Sequence, residues 1–117
     1  MDPHERREIR DLIEGLLCQL SDAEEQLRYE QNVPIASVPA ELVCMWFEDH
    51  FHPEKDWFKD CFSPQERDTL LAFHRFYEGK LRFLPDTERV TELHQSSHWK
   101  EVMDRAGAVL RSIEWAA

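Results

Sequence analysis

The chain has 117 residues, a length that favours one hydrophobic core, and we predict a single domain over residues 1–117. Only three residues are glycine, whereas 11% are aromatic, a composition that favours helix over strand and argues against disorder. The net charge of −10 argues against direct binding to nucleic acid or to an anionic membrane surface.

The first helix is predicted to begin at Pro3, with Asp2 as its N-cap. Its apolar residues recur at steps of three and one, which places them on one helical stripe: Ile9, Leu12, Ile13, Leu16, Leu17 and Leu20. The pattern Ser-x-x-Glu at residues 21–24 is typical of a capping box and predicts a second, shorter helix. Residues 32–39 contain two prolines and are predicted to form an ordered loop.

A third helix is predicted from Pro39 to about Phe51, apolar around most of its circumference and therefore central. Pro53 is predicted to end this region and to start a short helix with His52 at its N-cap.

The clearest helix is predicted after Ser63, because Ser63, Pro64 and Glu66 form a cap followed by a regular apolar stripe to Leu84. A short helix within residues 86–95 and a last helix after Ser96 and Ser97 complete the pattern. No alternating strand pattern of convincing length is present. The sequence therefore predicts an all-α fold, an irregular bundle of six or seven helices without a substantial sheet.

The acidic charge is concentrated in the first half of the chain. Residues 1–62 carry fifteen acidic and six basic side chains, a balance of −9, whereas residues 63–117 carry nine and eight. Net charge of this kind serves solubility. It also attracts a basic protein surface, and such steering mainly raises the association rate.

Three cysteines, an odd number without a C-x-x-C pair, indicate reduced thiols. The first eleven residues are rich in charge, and no apolar run approaches the length of about 18 residues that a membrane span needs. We therefore expect a cytoplasmic protein.

Two pairs of side chains, each one helical turn apart, are candidates for metal binding. Glu48 and His52 are one helical turn apart, whereas His50 points elsewhere. His94 and His98 are four residues apart, but the serines between them predict a helix start that separates the two rings. Zinc needs three or four ligands, and neither pair supplies them alone. A metal-dependent or ligand-binding enzyme therefore requires convergence of side chains that are distant in sequence, namely Glu48, His52, His74, His94 and His98.

Catalytic signatures are missing from the sequence. It contains no G-x-S-x-G elbow, no phosphate-binding glycine loop and no H-E-x-x-H pair. Cys44 lies in an apolar helix, where burial makes a thiol inert, and Cys61 follows an acid. For His74 we expect a core-bordering ring or a pair with Glu78. We predict a protein without catalytic residues, cofactor or metal.

Six aromatic residues crowd positions 46–62, more than one helix face can bury. Most should lie in the core. Trp57, however, is surrounded in sequence by Glu54, Asp56 and Asp60, and an aromatic anchor ringed by charge is typical of an interface hot spot. These four residues are our predicted interface.

We therefore expect a small acidic binding protein that docks a basic protein partner. In size and charge the chain is similar to bacterial antidote or immunity proteins, which are often small, acidic and without catalytic apparatus and which block a basic toxin. The alternatives are the metal-dependent enzyme and a helical homodimer in which the aromatic surplus covers itself.

Overall fold

The computed structural model describes residues 1–33 and 37–117. Within this part the chain forms seven α-helices and no strand, which confirms the predicted all-α fold. The helices are α1 (Pro3–Ser21), α2 (Ala23–Asn32), α3 (Val38–Cys44), α4 (Asp56–Lys59), α5 (Pro64–Lys80), α6 (Val90–Leu93) and α7 (Ser97–Ser112). None of them combines the length and the apolar character that crossing a membrane requires.

Helices α1 and α2 meet at Asp22. This residue has an extended backbone, ends α1 and caps α2, where its carboxylate accepts hydrogen bonds from the N–H groups of Glu24 and Glu25. The predicted cap at Ser21 is therefore wrong by one residue, because the Ser21 hydroxyl donates to the Cys18 carbonyl within α1. Leu12, predicted to lie on the buried stripe of α1, is exposed.

The predicted loop 32–39 is shorter than expected, since Asn32 ends α2 and α3 begins at Val38 behind a Ser37 cap. Residues 34–36 of this prediction lie outside the described residues.

The predicted helix from Pro39 to Phe51 changes type partway. After α3 the chain forms a π-helical turn over Met45–His50, in which the Phe51 N–H donates to the Trp46 carbonyl oxygen at 3.2 Å. A π-helix bonds residues five apart, so it places such residues above each other. The rings of Trp46 and Phe51 accordingly stack with their centroids 4.6 Å apart.

The predicted cap of α5 is confirmed. The Ser63 side chain accepts from the Glu66 N–H, and the Glu66 carboxylate accepts from the Ser63 N–H, a reciprocal box that satisfies two free donors. Helix α5 continues into a 3₁₀ turn over Leu81–Phe83. The last helix is capped by Ser96, as the serines predicted.

Helix α7 packs against both α1 and α5, and the buried apolar side chains form one core. Two polar residues are buried with them. Gln26 donates to the carbonyls of Gln19 and Leu20, and its Oε1 accepts from the ring N–H groups of His94 and Trp99. All hydrogen-bonding groups of this amide are thereby used, so its burial leaves no group unpaired.

Arg10 is the second buried polar residue. Its guanidinium donates two hydrogen bonds to the Glu66 carboxylate, at 2.9 and 3.0 Å, and further bonds to the carbonyl oxygens of Cys61, Glu114 and Trp115. The same group lies over the ring of Phe62. Arg10 therefore joins α1 to the start of α5 and to the segment after α7, and it holds the pKa of Glu66 below its usual range.

Candidate docking surface around Trp57

The chain enters α4 through a tight turn. The Lys55 N–H donates to the His52 carbonyl oxygen at 3.1 Å, with Pro53 at the second position of the turn. Proline suits that position because its ring presets φ. The prediction that Pro53 starts a helix capped by His52 is therefore wrong, and α4 begins at Asp56.

Trp57 and Phe58 are neighbours with opposite environments. Phe58 is fully buried and meets the ring of Phe51 edge to face at 5.3 Å, whereas Trp57 is 40% exposed. Successive helical residues point about 100° apart, so one of the two rings must leave the core. The Trp57 ring contacts Phe58 at 5.9 Å and His52 at 6.3 Å.

The backbone of Trp57 is held by Cys61. The Cys61 thiol donates to the Trp57 carbonyl oxygen at 3.1 Å and lies 3.4 Å from the sulfur of Met1. Met1 is 52% exposed, so the same buried thiol contacts one exposed apolar side chain and the backbone of a second exposed residue, Trp57. The sequence prediction missed Met1, because the contact joins residues sixty positions apart and no local signal marks it.

The three acids predicted around Trp57 are all exposed: Glu54, Asp56 and Asp60. We define the Trp57 surface as Met1, Glu54, Asp56, Trp57 and Asp60. Lys55 and Lys59 are also exposed in this segment, and Glu48 and Asp49 are exposed just before it. Residues 48–60 thus present five exposed acids and two exposed lysines.

The histidines of the metal hypothesis have separate partners. The Nε2 atom of His52 lies 3.2 Å from the Asp49 carbonyl oxygen, and His74 accepts a hydrogen bond from Trp46. His94 donates to Gln26, and the Nδ1 atom of His98 lies 3.1 Å from the Lys80 amine. His50 ends the π-helical turn and is half-buried. Among residues 1–33 and 37–117, no group of three or more His, Cys, Asp or Glu side chains is arranged to hold a metal ion.

All three cysteines lie in the described part of the chain and are free thiols. Burial raises the pKa of each of them, and beside Cys44 the carboxylate of Glu48 adds to the rise. A raised pKa disfavours the reactive thiolate form of Cys44, which is half-buried and not fully buried as expected.

Comparisons with known proteins assign no family to the chain. No protein-family model matches it, and no match was found among curated proteins or among solved structures.

Proposed function

We propose that this chain is a non-catalytic binding protein that docks a basic protein partner through the Trp57 surface. The observation that carries the proposal is the 40% exposure of Trp57 in a segment whose other large rings pack inward. Because Phe58 already fills the core beneath α4, the fold does not need the outer half of the Trp57 indole.

The composition of the surface supports a protein partner. Interface hot spots favour tryptophan, and they are typically surrounded by polar groups that exclude water from the anchor. Met1 adds an exposed apolar side chain that contacts the same thiol as the Trp57 backbone, while the acids Glu54, Asp56 and Asp60 supply the charged rim.

Charge supports a basic partner. The balance of −9 over residues 1–62 repels phosphate groups and attracts a cationic protein surface. Inhibition of a basic toxin by an antidote or immunity-type protein is the most concrete form of this proposal, and it needs no catalytic group on this chain.

The experiment first needs a candidate partner. This is either a basic protein encoded next to the gene for this chain, or a basic protein that cross-links to position 57 of this chain in the source cell. The purified pair is titrated by calorimetry. We expect Trp57→Ala to weaken binding by at least about 2 kcal/mol, the threshold of a hot spot. Phe83→Ala is the matched control, because Phe83 is an aromatic residue of similar exposure, 47%, stacked on His98 instead. Equal losses for the two variants would contradict the proposed surface.

Charge reversal tests the rim separately. Replacing Glu54, Asp56 and Asp60 with lysine should slow association and reduce its salt dependence, since rim charges act mainly on the association rate. The control replaces three exposed acids of the second half, Asp68, Glu88 and Asp104. If both triple variants bind alike, the docking surface lies elsewhere.

A second copy of the chain is the competing occupant. Light scattering of the free protein should give the 14.0 kDa monomer. A dimer that Trp57→Ala dissociates would assign this surface to self-association and would overturn the proposed basic partner.

A further inference from the structure

His74 lies on α5 and faces the π-helical turn. Its ring is 5.1 Å from the ring of Phe47 and 5.1 Å from that of Phe51, and its Nδ1 atom is 3.2 Å from the indole nitrogen of Trp46. We refer to this hydrogen bond and the two ring contacts as the His74 contact.

The hydrogen bond defines the protonation state of the imidazole. An indole N–H can only donate, so Nδ1 of His74 must be an acceptor and carries no proton. The ring is therefore neutral, with its proton on Nε2. A second proton would place an N–H on Nδ1 directly opposite the N–H of Trp46, which is fully buried. A buried donor that loses its acceptor is costly, so the charged ring and the present geometry are incompatible.

Two charged groups act on His74, and both belong to α5. Glu78, whose carboxylate is 4.0 Å from Nε2, favours the charged ring, while Arg75 opposes it. The groups facing His74 from the π-helical turn are the uncharged rings of Trp46 and Phe47, with Phe51 just beyond. Burial has the largest influence and lowers the pKa of His74, so the attraction of Glu78 does not compensate for it.

Ring contacts continue from His74 to the docking surface. Trp46 stacks on Phe51 at 4.6 Å, Phe51 meets Phe58 at 5.3 Å, and Phe58 is the buried neighbour of Trp57. The segment 45–58 is therefore packed on α5 through the rings of Phe73, His74 and Tyr77, of which only the imidazole can take up a proton.

We propose that protonation of His74 breaks the His74 contact and opens segment 45–58, so that mild acid loosens the support of Trp57. The opening is a property of the free protein. Only its consequence, release of a bound partner in acid, rests on the proposed function.

The test uses the free, ¹⁵N-labelled protein between about pH 8 and pH 5, a range that spans the ordinary histidine pKa of about 6.5. Nitrogen chemical shifts report the tautomer of His74. Hydrogen exchange of the Trp46 indole and of the amides in segment 45–58, corrected for the intrinsic effect of pH, reports opening. Amides of α7 serve as the internal reference. Protonation of His94 would act on α2 and α7, where its hydrogen-bond partner Gln26 and the neighbouring Trp99 lie, and not on segment 45–58.

We expect an unprotonated Nδ1 at neutral pH. We also expect an opening constant in segment 45–58 that rises as pH falls, about tenfold for each unit by which the pKa of His74 lies below its unfolded value. His74→Asn, which keeps an acceptor near the Nδ1 position but does not titrate, should abolish the rise. His4→Asn, at an exposed histidine, should preserve it.

A proton on Nδ1 at neutral pH would overturn the proposal, as would the same rise of the opening constant in wild type and in His74→Asn. If His74→Asn fails to fold, the wild-type data decide: opening that is uniform over segment 45–58 and α7 contradicts the proposal. None of these measurements involves a partner. They can therefore contradict the opening of segment 45–58 while the docking function is correct, and they can support the opening while the docking function is wrong.

Discussion

Replacing Arg10 with methionine tests whether the buried guanidinium organises the fold. Methionine keeps an apolar stem that can still pack near Phe62, but it removes the charge and all five hydrogen bonds. The Cys61 and Glu114 carbonyl oxygens then lose this donor, while the Glu66 carboxylate keeps only the Ser63 N–H and the Trp115 carbonyl keeps Arg7. The loss of stability in this variant therefore reports mainly the polar contacts.

The expected loss follows from the geometry. Removing one partner of a buried ion pair costs about 3–5 kcal/mol, because the other charge is left without compensation. The Arg10 side chain has no exposed surface, but that of Glu66 is 16% exposed, so water partly rehydrates the remaining carboxylate. We therefore expect the low end of the range, about 3 kcal/mol, which is a large share of the 5–15 kcal/mol typical of a domain.

Urea unfolding followed by circular dichroism at neutral pH measures the loss. Arg28→Met is the matched control, since Arg28 pairs with Glu25 on the surface and exposed pairs contribute about 0–1 kcal/mol. A double cycle with Glu66→Gln, which preserves the capping box but not the charge, isolates the pairwise energy. A loss in Arg10→Met no larger than in Arg28→Met would refute the reasoning.

Two further predictions concern Glu66 and the rings of α4. The hydrogen bonds from Arg10 lower the pKa of Glu66. The contribution of this carboxylate to stability should therefore be present above the unfolded pKa of about 4.3 and lost as pH falls through the lower folded pKa. Acid unfolding of wild type and of Glu66→Gln measures this loss, and identical unfolding curves would contradict it. Phe58→Ala should cost about 3–5 kcal/mol and Trp57→Ala less than half as much in urea unfolding, because only Phe58 is fully buried; equal losses would assign Trp57 to the core.

The elements that sequence reasoning predicted well are those specified by local signals. The start of α5 is determined by Ser63 and Glu66, three residues apart, and the start of α7 by Ser96. Apolar spacing then reports which face is buried, because it repeats within a few helical turns. Such information lies within about twenty residues of the chain, and a single sequence contains it.

The π-helical turn could not be predicted in this way. Residues 45–50 have ordinary helical composition, and the change of helix type is accompanied by the stack of Trp46 on Phe51 and by His74, which is 28 positions from Trp46. The burial of Arg10 could not be predicted either, because its hydrogen-bond partners are 51 to 105 positions away in the sequence. Nothing local distinguishes Arg10 from Arg6 or Arg7, which remain partly exposed.

The candidate site could be predicted only in part. The aromatic surplus in residues 46–62 correctly indicated that some ring would not fit in the core. The choice of Trp57 rested on the acids around it, and the structure leaves Trp57 exposed while Phe58 is buried. Its role in binding stays a prediction. The contact of Met1 with the Cys61 thiol joins residues sixty positions apart, which only the tertiary structure shows.

Two buried contacts support the Trp57 surface from different sides. Arg10 donates to the Cys61 carbonyl, and the Cys61 thiol in turn donates to the Trp57 carbonyl. His74 acts through the rings beneath α4. A backbone held in this way needs little ordering when a partner binds, which lowers the entropic cost of docking. Between about pH 7 and pH 5 the Arg10 contact keeps its charges, because Arg10 lowers the pKa of the Glu66 carboxylate. The His74 contact loses stability as pH falls below the unfolded histidine pKa of about 6.5, since burial lowers the pKa of His74 in the folded protein. We therefore expect mild acid to release one support while the other persists, so that the bundle stays folded as segment 45–58 opens.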